Sequence, residues 1–60
     1  MNIEITTVNG ATFAITDTEG CPTASIAYSE LTSGRGVRVT VGEDEYYIPA
    51  TGVDNIKVRG

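Results

Sequence analysis

The alternation of apolar and polar residues near the start of the chain most constrains its fold. Apolar side chains alternate with polar ones at Ile3 and Ile5 and recur at every second position at Ala11, Phe13 and Ile15, and the dipeptide Asn9-Gly10 lies between these runs. Period-two alternation is typical of strands with one buried face, and Asn-Gly between two such runs is a strong hairpin signal. These residues are therefore predicted to form an antiparallel hairpin.

The register of this hairpin follows from which side chains must share a face. A two-residue loop would pair Ile5 with Ala14 and divide the apolar residues between two faces, because a one-residue slip inverts every side chain of a strand. A three-residue loop over residues 8–10 pairs Ile5 with Phe13 and keeps the apolar residues together. We therefore predict the three-residue loop, with its glycine in the left-handed conformation.

A second hairpin is predicted in the other half of the chain. The valines of residues 37–41 alternate with polar residues, and an acidic segment at residues 42–45 leads into a strand that begins at Tyr46. A four-residue loop would set Val41 opposite Tyr46 and unite the apolar side chains on one face. Pro49 lacks a backbone N–H and is expected to end this strand.

Residues 23–32 fit two structures. The positions that fit a strand alternate along the chain, namely Ala24, Ile26 and Tyr28. The positions that fit one face of a helix recur at spacings of three and four, namely Ala24, Ala27, Tyr28 and Leu31. Serine and threonine are frequent here and form helices poorly, whereas Gly34 is well placed to end a helix. We favour the strand and keep a short helix as the alternative.

The composition favours strands in the chain as a whole. Six isoleucines, six valines and nine threonines stand against one leucine, which is the β-branched usage of sheets rather than that of helices. We predict a single small all-β domain over residues 1–60, with five or six antiparallel strands in a barrel or a meander. The alternative is an α+β domain with one short helix at about residues 23–32.

Residues 46–53, Tyr-Tyr-Ile-Pro-Ala-Thr-Gly-Val, resemble the end of an SH3 domain. In that family an aromatic strand reaches a proline, makes a single helical turn and enters the last strand. The resemblance covers these eight residues and implies an SH3-like arrangement of the barrel. It also implies an aromatic-lined ligand groove, which in this tryptophan-free chain would draw on Tyr28, Tyr46 and Tyr47.

The residue types exclude much catalytic chemistry. The chain has no histidine, which removes the commonest general base and every Ser/His or Cys/His nucleophile pair. Cys21 is the only cysteine, so neither an intramolecular disulfide nor a Cys/His zinc site can form. A core this small also leaves little room for a pocket of about 300 Å³. We therefore expect a protein that is not an enzyme and that holds no cofactor or metal.

Five residues are candidate contacts for a partner. Glu43, Asp44 and Glu45 form the densest charge cluster, at the tip of the second hairpin. Alternation directs Tyr47 outward, where tyrosine is favoured at interfaces. Arg35 lies between two glycines and is available to a carboxylate or phosphate. Each also has a plain structural explanation. The acidic cluster fits a solvated turn, Tyr47 fits an ordinary exposed aromatic on a strand, and Arg35 fits a flexible turn.

The sequence indicates a protein-binding or assembly module. A chain of 60 residues buries only about 60% of its unfolded surface, so self-association into a homo-oligomer is the simplest added source of stability. The net charge of −4 disfavours nucleic acid and favours basic partners. The alternative is therefore a small acidic inhibitor, of the type found in phages and mobile elements, that docks on a basic or nucleic-acid-binding groove of a larger enzyme. Without an apolar leader or membrane segment, we expect a cytoplasmic location.

Overall fold

Five strands, one α-helix and one 3-10 turn make up the fold in the computed structural model, which describes residues 1–59. In chain order they are β1 (Asn2–Thr7), β2 (Thr12–Thr16), α1 (Thr23–Thr32), β3 (Val37–Val41), β4 (Asp44–Ile48), the 3-10 turn (Ala50–Gly52) and β5 (Val53–Arg59). The central strand β1 pairs with β2 and β5, and β3 pairs with β4 in a separate sheet, all antiparallel. No helix in the described part of the chain has the length and apolar character needed to cross a membrane.

The first hairpin has the predicted register. Ile5 lies opposite Phe13 in the β1–β2 ladder, and the N–H of Gly10 donates to the Thr7 carbonyl across the turn (3.0 Å). Gly10 has a φ of +93°, in the region that glycine adopts without a steric penalty. The loop therefore has three residues, and both strands place their apolar side chains on one face.

The loop of the second hairpin is shorter than predicted. Val41 pairs with Asp44 rather than with Tyr46, so the turn consists of Gly42 and Glu43 alone. The φ of Gly42 is +63°, as the first position of a tight type II′ turn requires. This turn matches the twist of the strands, which explains why it replaces the longer loop. The shift of two positions keeps every side chain on its predicted face.

The preferred strand over residues 23–32 is wrong, and the alternative helix is present as α1. Ala24, Ala27 and Leu31 are buried along one side of it, whereas Ile26 is 53% exposed. Burial of this narrow stripe against the sheets outweighs the poor helix propensity of the serines and threonines, since most helical stability in proteins comes from packing.

The helix ends as Gly34 suggested. Its φ is +87°, its N–H donates to the Leu31 carbonyl (3.2 Å), and the N–H of Arg35 donates to the Glu30 carbonyl (2.9 Å). These two bonds form a Schellman motif, which satisfies carbonyl groups that the last turn leaves unpaired.

The start of the helix is held by a side chain from the end of β2. Asp17 accepts hydrogen bonds from the Ser25 N–H (3.0 Å) and the Ser25 hydroxyl (2.8 Å), and the N-terminal amine of Met1 lies 3.3 Å from its carboxylate. The Ser25 N–H is the main cause that lowers the pKa of Asp17, with smaller contributions from the Ser25 hydroxyl and the amine, while desolvation opposes them. Asp17 therefore performs the capping that Pro22 at the N-cap position does not.

The core lies between the two sheets and under α1. It consists of side chains from β1, β2, β3, β4 and the helix, namely Ile3, Ile5, Ile15, Ala24, Ala27, Leu31, Val39 and Ile48. The protein is thus small and mostly β with one helix, as the coarser prediction had it. The sheets do not close into a barrel, so that part of the prediction is wrong. After β4, Pro49, the 3-10 turn and β5 follow one another along the chain.

Candidate functional site

A concave surface lies between the β1–β2 loop and the end of β4. This aromatic groove has a volume of about 370 Å³. Its lining residues are Thr7, Val8, Asn9, Ala11, Phe13, Tyr46, Tyr47, Ile48, Pro49 and Gly52. The N–H of Val8 donates to the Gly52 carbonyl (2.9 Å), which joins the loop to the 3-10 turn and fixes the two walls of the groove.

The chemical character of the aromatic groove is apolar with a polar rim. The rings of Phe13 and Tyr46 contact each other with centroids 5.4 Å apart and planes inclined by 55°. Around this pair, Val8 is 69% exposed, Tyr46 43% and Tyr47 64%. At the rim, the Thr7 hydroxyl donates to the Asn9 side chain. Contiguous exposed apolar surface with polar edges is typical of interaction sites.

Tyr47 lies across the two-stranded sheet from Arg38. A methyl group placed on Gly36 would lie 2.1 Å from the Tyr47 hydroxyl oxygen, so the ring covers the backbone of this glycine. The absence of a side chain at position 36 leaves room for the hydroxyl end of the ring. The tyrosine is therefore positioned by a contact and still presents most of its surface to solvent.

The acidic tip, Glu43 to Glu45, does not converge on one point. Glu43 lies in the turn, and alternation along β4 directs Asp44 and Glu45 to opposite faces. Glu45 lies 3.9 Å from the guanidinium of Arg38, an exposed ion pair. Within residues 1–59, no group of three or more acidic or cysteine side chains is arranged to hold a metal ion. The three carboxylates of the tip therefore do not come together at one point in the structure.

Arg35 lies at the other end of β3 from the acidic tip. Its guanidinium is 3.8 Å from the Glu30 carboxylate, and both side chains are exposed to solvent. Its backbone N–H closes the C-terminus of α1. The structure therefore separates Arg35 from the acidic residues and gives it a helix-ending role.

Sequence reasoning missed most of the groove. Val8 was treated only as a loop residue and Phe13 only as a core residue, yet both line this surface. The usable signal was an apolar residue in a hairpin loop, where a polar one is expected. The expectation that the chain has little room for a cleft is also wrong, since a second groove of about 330 Å³ lies between β2 and β3.

No family model, no curated protein and no solved structure matches this chain.

Proposed function

We propose that this chain is a non-enzymatic protein-binding module and that self-association through the aromatic groove is its simplest form. The observation that carries the proposal is the cluster of exposed apolar side chains at Val8, Tyr46 and Tyr47 around the Phe13–Tyr46 ring pair. Aromatic side chains supply large contact area at low entropic cost and are enriched at the energetic centres of interfaces. The single exposed thiol of Cys21 favours a reducing, cytoplasmic setting for the module.

The size of the chain supports a second copy as the occupant. A stable interface buries about 800 Å² per partner, which is about a fifth of the 4060 Å² that this chain exposes. A two-fold arrangement would bury the residues that line the aromatic groove on both copies at once. The added apolar burial compensates for a small core, which has eight buried residues within residues 1–59.

A second candidate function is acidic docking on a basic surface of a larger protein. The observation that favours it is that Glu43 and Asp44 form no ion pair within residues 1–59. These two adjacent carboxylates and the net charge of −4 would steer the tip toward a positive groove. Binding of this kind weakens as salt is added, whereas self-association of a molecule with this charge strengthens, because salt screens the repulsion between copies.

The SH3 likeness enters this proposal only at β4, Pro49 and the 3-10 turn, because these elements form one wall of the aromatic groove. We propose that the wall serves here as a contact for a folded second copy. Recognition of proline-rich peptides would instead require the open aromatic slot of that family.

The test is the molar mass in solution by light scattering after gel filtration, at two protein concentrations about a hundredfold apart and at low and high salt. We expect the mass to rise above the monomer value with concentration and with salt, and Val8→Ser to reduce the rise. Val58→Ser is the matched control, because Val58 is 49% exposed on β5 and lies outside the groove.

A monomer under every condition would refute self-association, and an equal effect of the control variant would refute the groove as its site. If the protein is a monomer under every condition, the next measurement is its binding to basic protein surfaces, with and without charge-neutralising substitutions at Glu43 and Asp44.

A further inference from the structure

The second groove, here called the edge groove, runs between strands β2 and β3, which belong to different sheets. Its walls include every residue of Phe13–Thr16 on β2 and of Arg38–Val41 on β3. A depression on one face of a sheet would be lined by alternate residues only, because neighbouring side chains point to opposite faces. The consecutive lining on both strands means that the groove lies between two strand edges.

The ladder of β1 and β2 shows which backbone groups of β2 are free. The N–H of Thr7 donates to the Ala11 carbonyl (2.8 Å) at the loop end, so this pair is hydrogen-bonded. Bonded and non-bonded pairs alternate along an antiparallel ladder, which makes Phe13 a bonded position. The intervening residues Ala14 and Thr16 therefore direct their N–H and C=O groups away from β1, toward the open edge.

The same alternation applies to β3. Val41 and Asp44 flank the two-residue turn, and the residues that flank such a turn form a bonded pair. Arg38 and Thr40 are then non-bonded positions, and their backbone groups point away from β4. Both walls of the edge groove thus present unpaired donors and acceptors at the spacing of a strand.

We propose that the edge groove binds an extended segment of a partner protein, which adds a strand between β2 and β3 and joins the two sheets. The added strand would bond to Ala14 and Thr16 on one side and to Arg38 and Thr40 on the other. Strand addition of this kind gains its affinity from main-chain bonds and its selectivity from alternate side chains. One face of the guest would contact the core side chains at this groove, so we assign it apolar residues at every second position.

The charge around the edge groove fixes the polarity of the guest. Arg38 is the one charged residue among those that line the groove, and it is paired with Glu45 at 3.9 Å. Val41 lines the end of the groove next to the β3–β4 turn, where Glu43 and Asp44 follow and form no ion pair within the described residues 1–59. A lysine or arginine of the guest at this end would neutralise them. The partner segment is therefore an extended, basic one with alternating apolar residues.

The two open edges of the three-stranded sheet differ in a way that supports this inference. The edge strand β5 carries Lys57 and Arg59, and charges on an edge discourage strand addition. The edge strand β2, Thr12–Thr16, contains no charged residue and no proline. Of these two edges, the unprotected one is the one that lines the edge groove.

Amide hydrogen exchange on the free protein tests the first requirement of the proposal. We expect Ala14, Thr16 and Thr40 to exchange rapidly, while Phe13 and Val39 exchange slowly because they are bonded within their hairpins. Slow exchange at all five amides would mean that β2 and β3 already pair in solution, and the proposal would be wrong.

Selection from a displayed library of random ten-residue peptides tests the binding itself. We expect enrichment of peptides with apolar residues at alternate positions and a basic residue near one end. Ala14→Pro removes one unpaired N–H of the groove and should weaken the best peptide by about tenfold or more. Val58→Pro removes an N–H from the open edge of β5 and is the matched control.

Three further variants complete the test. Thr40→Pro repeats the block on the facing strand and replaces Ala14→Pro should that variant fail to fold. Combined Glu43→Gln and Asp44→Asn should weaken basic peptides by about threefold and leave neutral ones unchanged. Val8→Ser should not affect peptide binding, which separates this site from self-association through the aromatic groove.

Several outcomes would overturn the proposal. No enrichment, enrichment without alternation, or equal loss with the Val58→Pro control would each do so. A self-association that Ala14→Pro abolishes, in a protein that binds no peptide, would identify a second copy as the occupant instead.

Discussion

Truncation of Leu31 to alanine is expected to destabilise the protein severely. Leu31 is 7% exposed and belongs to the stripe that attaches α1 to the sheets. The removed carbons account for about 2–3 kcal/mol of lost burial, and a residual cavity brings the cost into the range of about 2–5 kcal/mol. A chain of this size has a total stability of about 3–9 kcal/mol, so the variant loses a large part of it.

Urea unfolding followed by circular dichroism measures this effect. With a denaturant slope of about 1 kcal/mol per molar, a loss of about 2–5 kcal/mol should lower the midpoint by about 2–5 M and the melting temperature by about 10–40 °C. The control is Ile26→Ala on the exposed side of the same helix. It should change stability by less than about 0.5 kcal/mol, because alanine is the better helix former. If Ile26→Ala cost as much as Leu31→Ala, residues 23–32 would bury the alternating face of a strand, and the packing argument would be refuted.

Two more predictions concern residues that position parts of the surface. The lowered pKa of Asp17 means that its carboxylate adds stability above its ordinary pKa of 3.8, and that this contribution is lost as the pH falls below that value. Acid titration of the melting temperature should therefore show a smaller loss for Asp17→Asn than for wild type or Glu19→Gln, and equal losses would contradict the capping role. Gly36→Ala should displace the ring of Tyr47, which lies where the new methyl group must go. Nuclear magnetic resonance should show shifted Tyr47 ring signals with little change in stability, and unchanged signals would rule out the contact.

The first hairpin could be derived from the sequence because two independent signals agreed there. The glycine at position 10 permits the turn, and the requirement that Ile5 and Phe13 share a face selects one register. At the second hairpin, loops of two and of four residues both place the apolar side chains on one face, because a shift of two residues leaves every side chain on the same face of its strand. The choice then depended on the conformation of Gly42, which local patterning alone did not reveal.

The helix was mispredicted because its two periodicities overlap. Ala24 and Tyr28 belong to both the strand and the helix pattern. The two patterns therefore differ only in Ile26, which a strand would bury, and in Ala27 and Leu31, which a helix would bury. Propensity favoured the strand, but the packed structure buries the helical stripe. Two small residues in that stripe let the helix approach the sheets closely, an advantage that appears only once the sheets exist.

The grooves were beyond prediction for a related reason, since each is made by elements that are distant in sequence. The aromatic groove needs the hydrogen bond from Val8 to Gly52 to bring the first loop against the 3-10 turn. Tyr47 could be identified in advance because its outward direction follows from local alternation. Its neighbours in space could not, because nothing in the strand pattern specifies how the two hairpins lie relative to each other.

The position of α1 explains why the two sheets remain separate. In a continuous meander a short turn would lead from β2 directly into β3 and pair them, but here residues 17–36 form the connection and contain the helix. The helix buries Ala24, Ala27 and Leu31 against the core. It therefore covers apolar surface of the core that pairing of β2 with β3 would otherwise cover. Strand pairing between β2 and β3 is then no longer required to exclude water from the core, and their backbone edges stay available. A helix in this connection thus accounts both for the open sheets and for the groove between them.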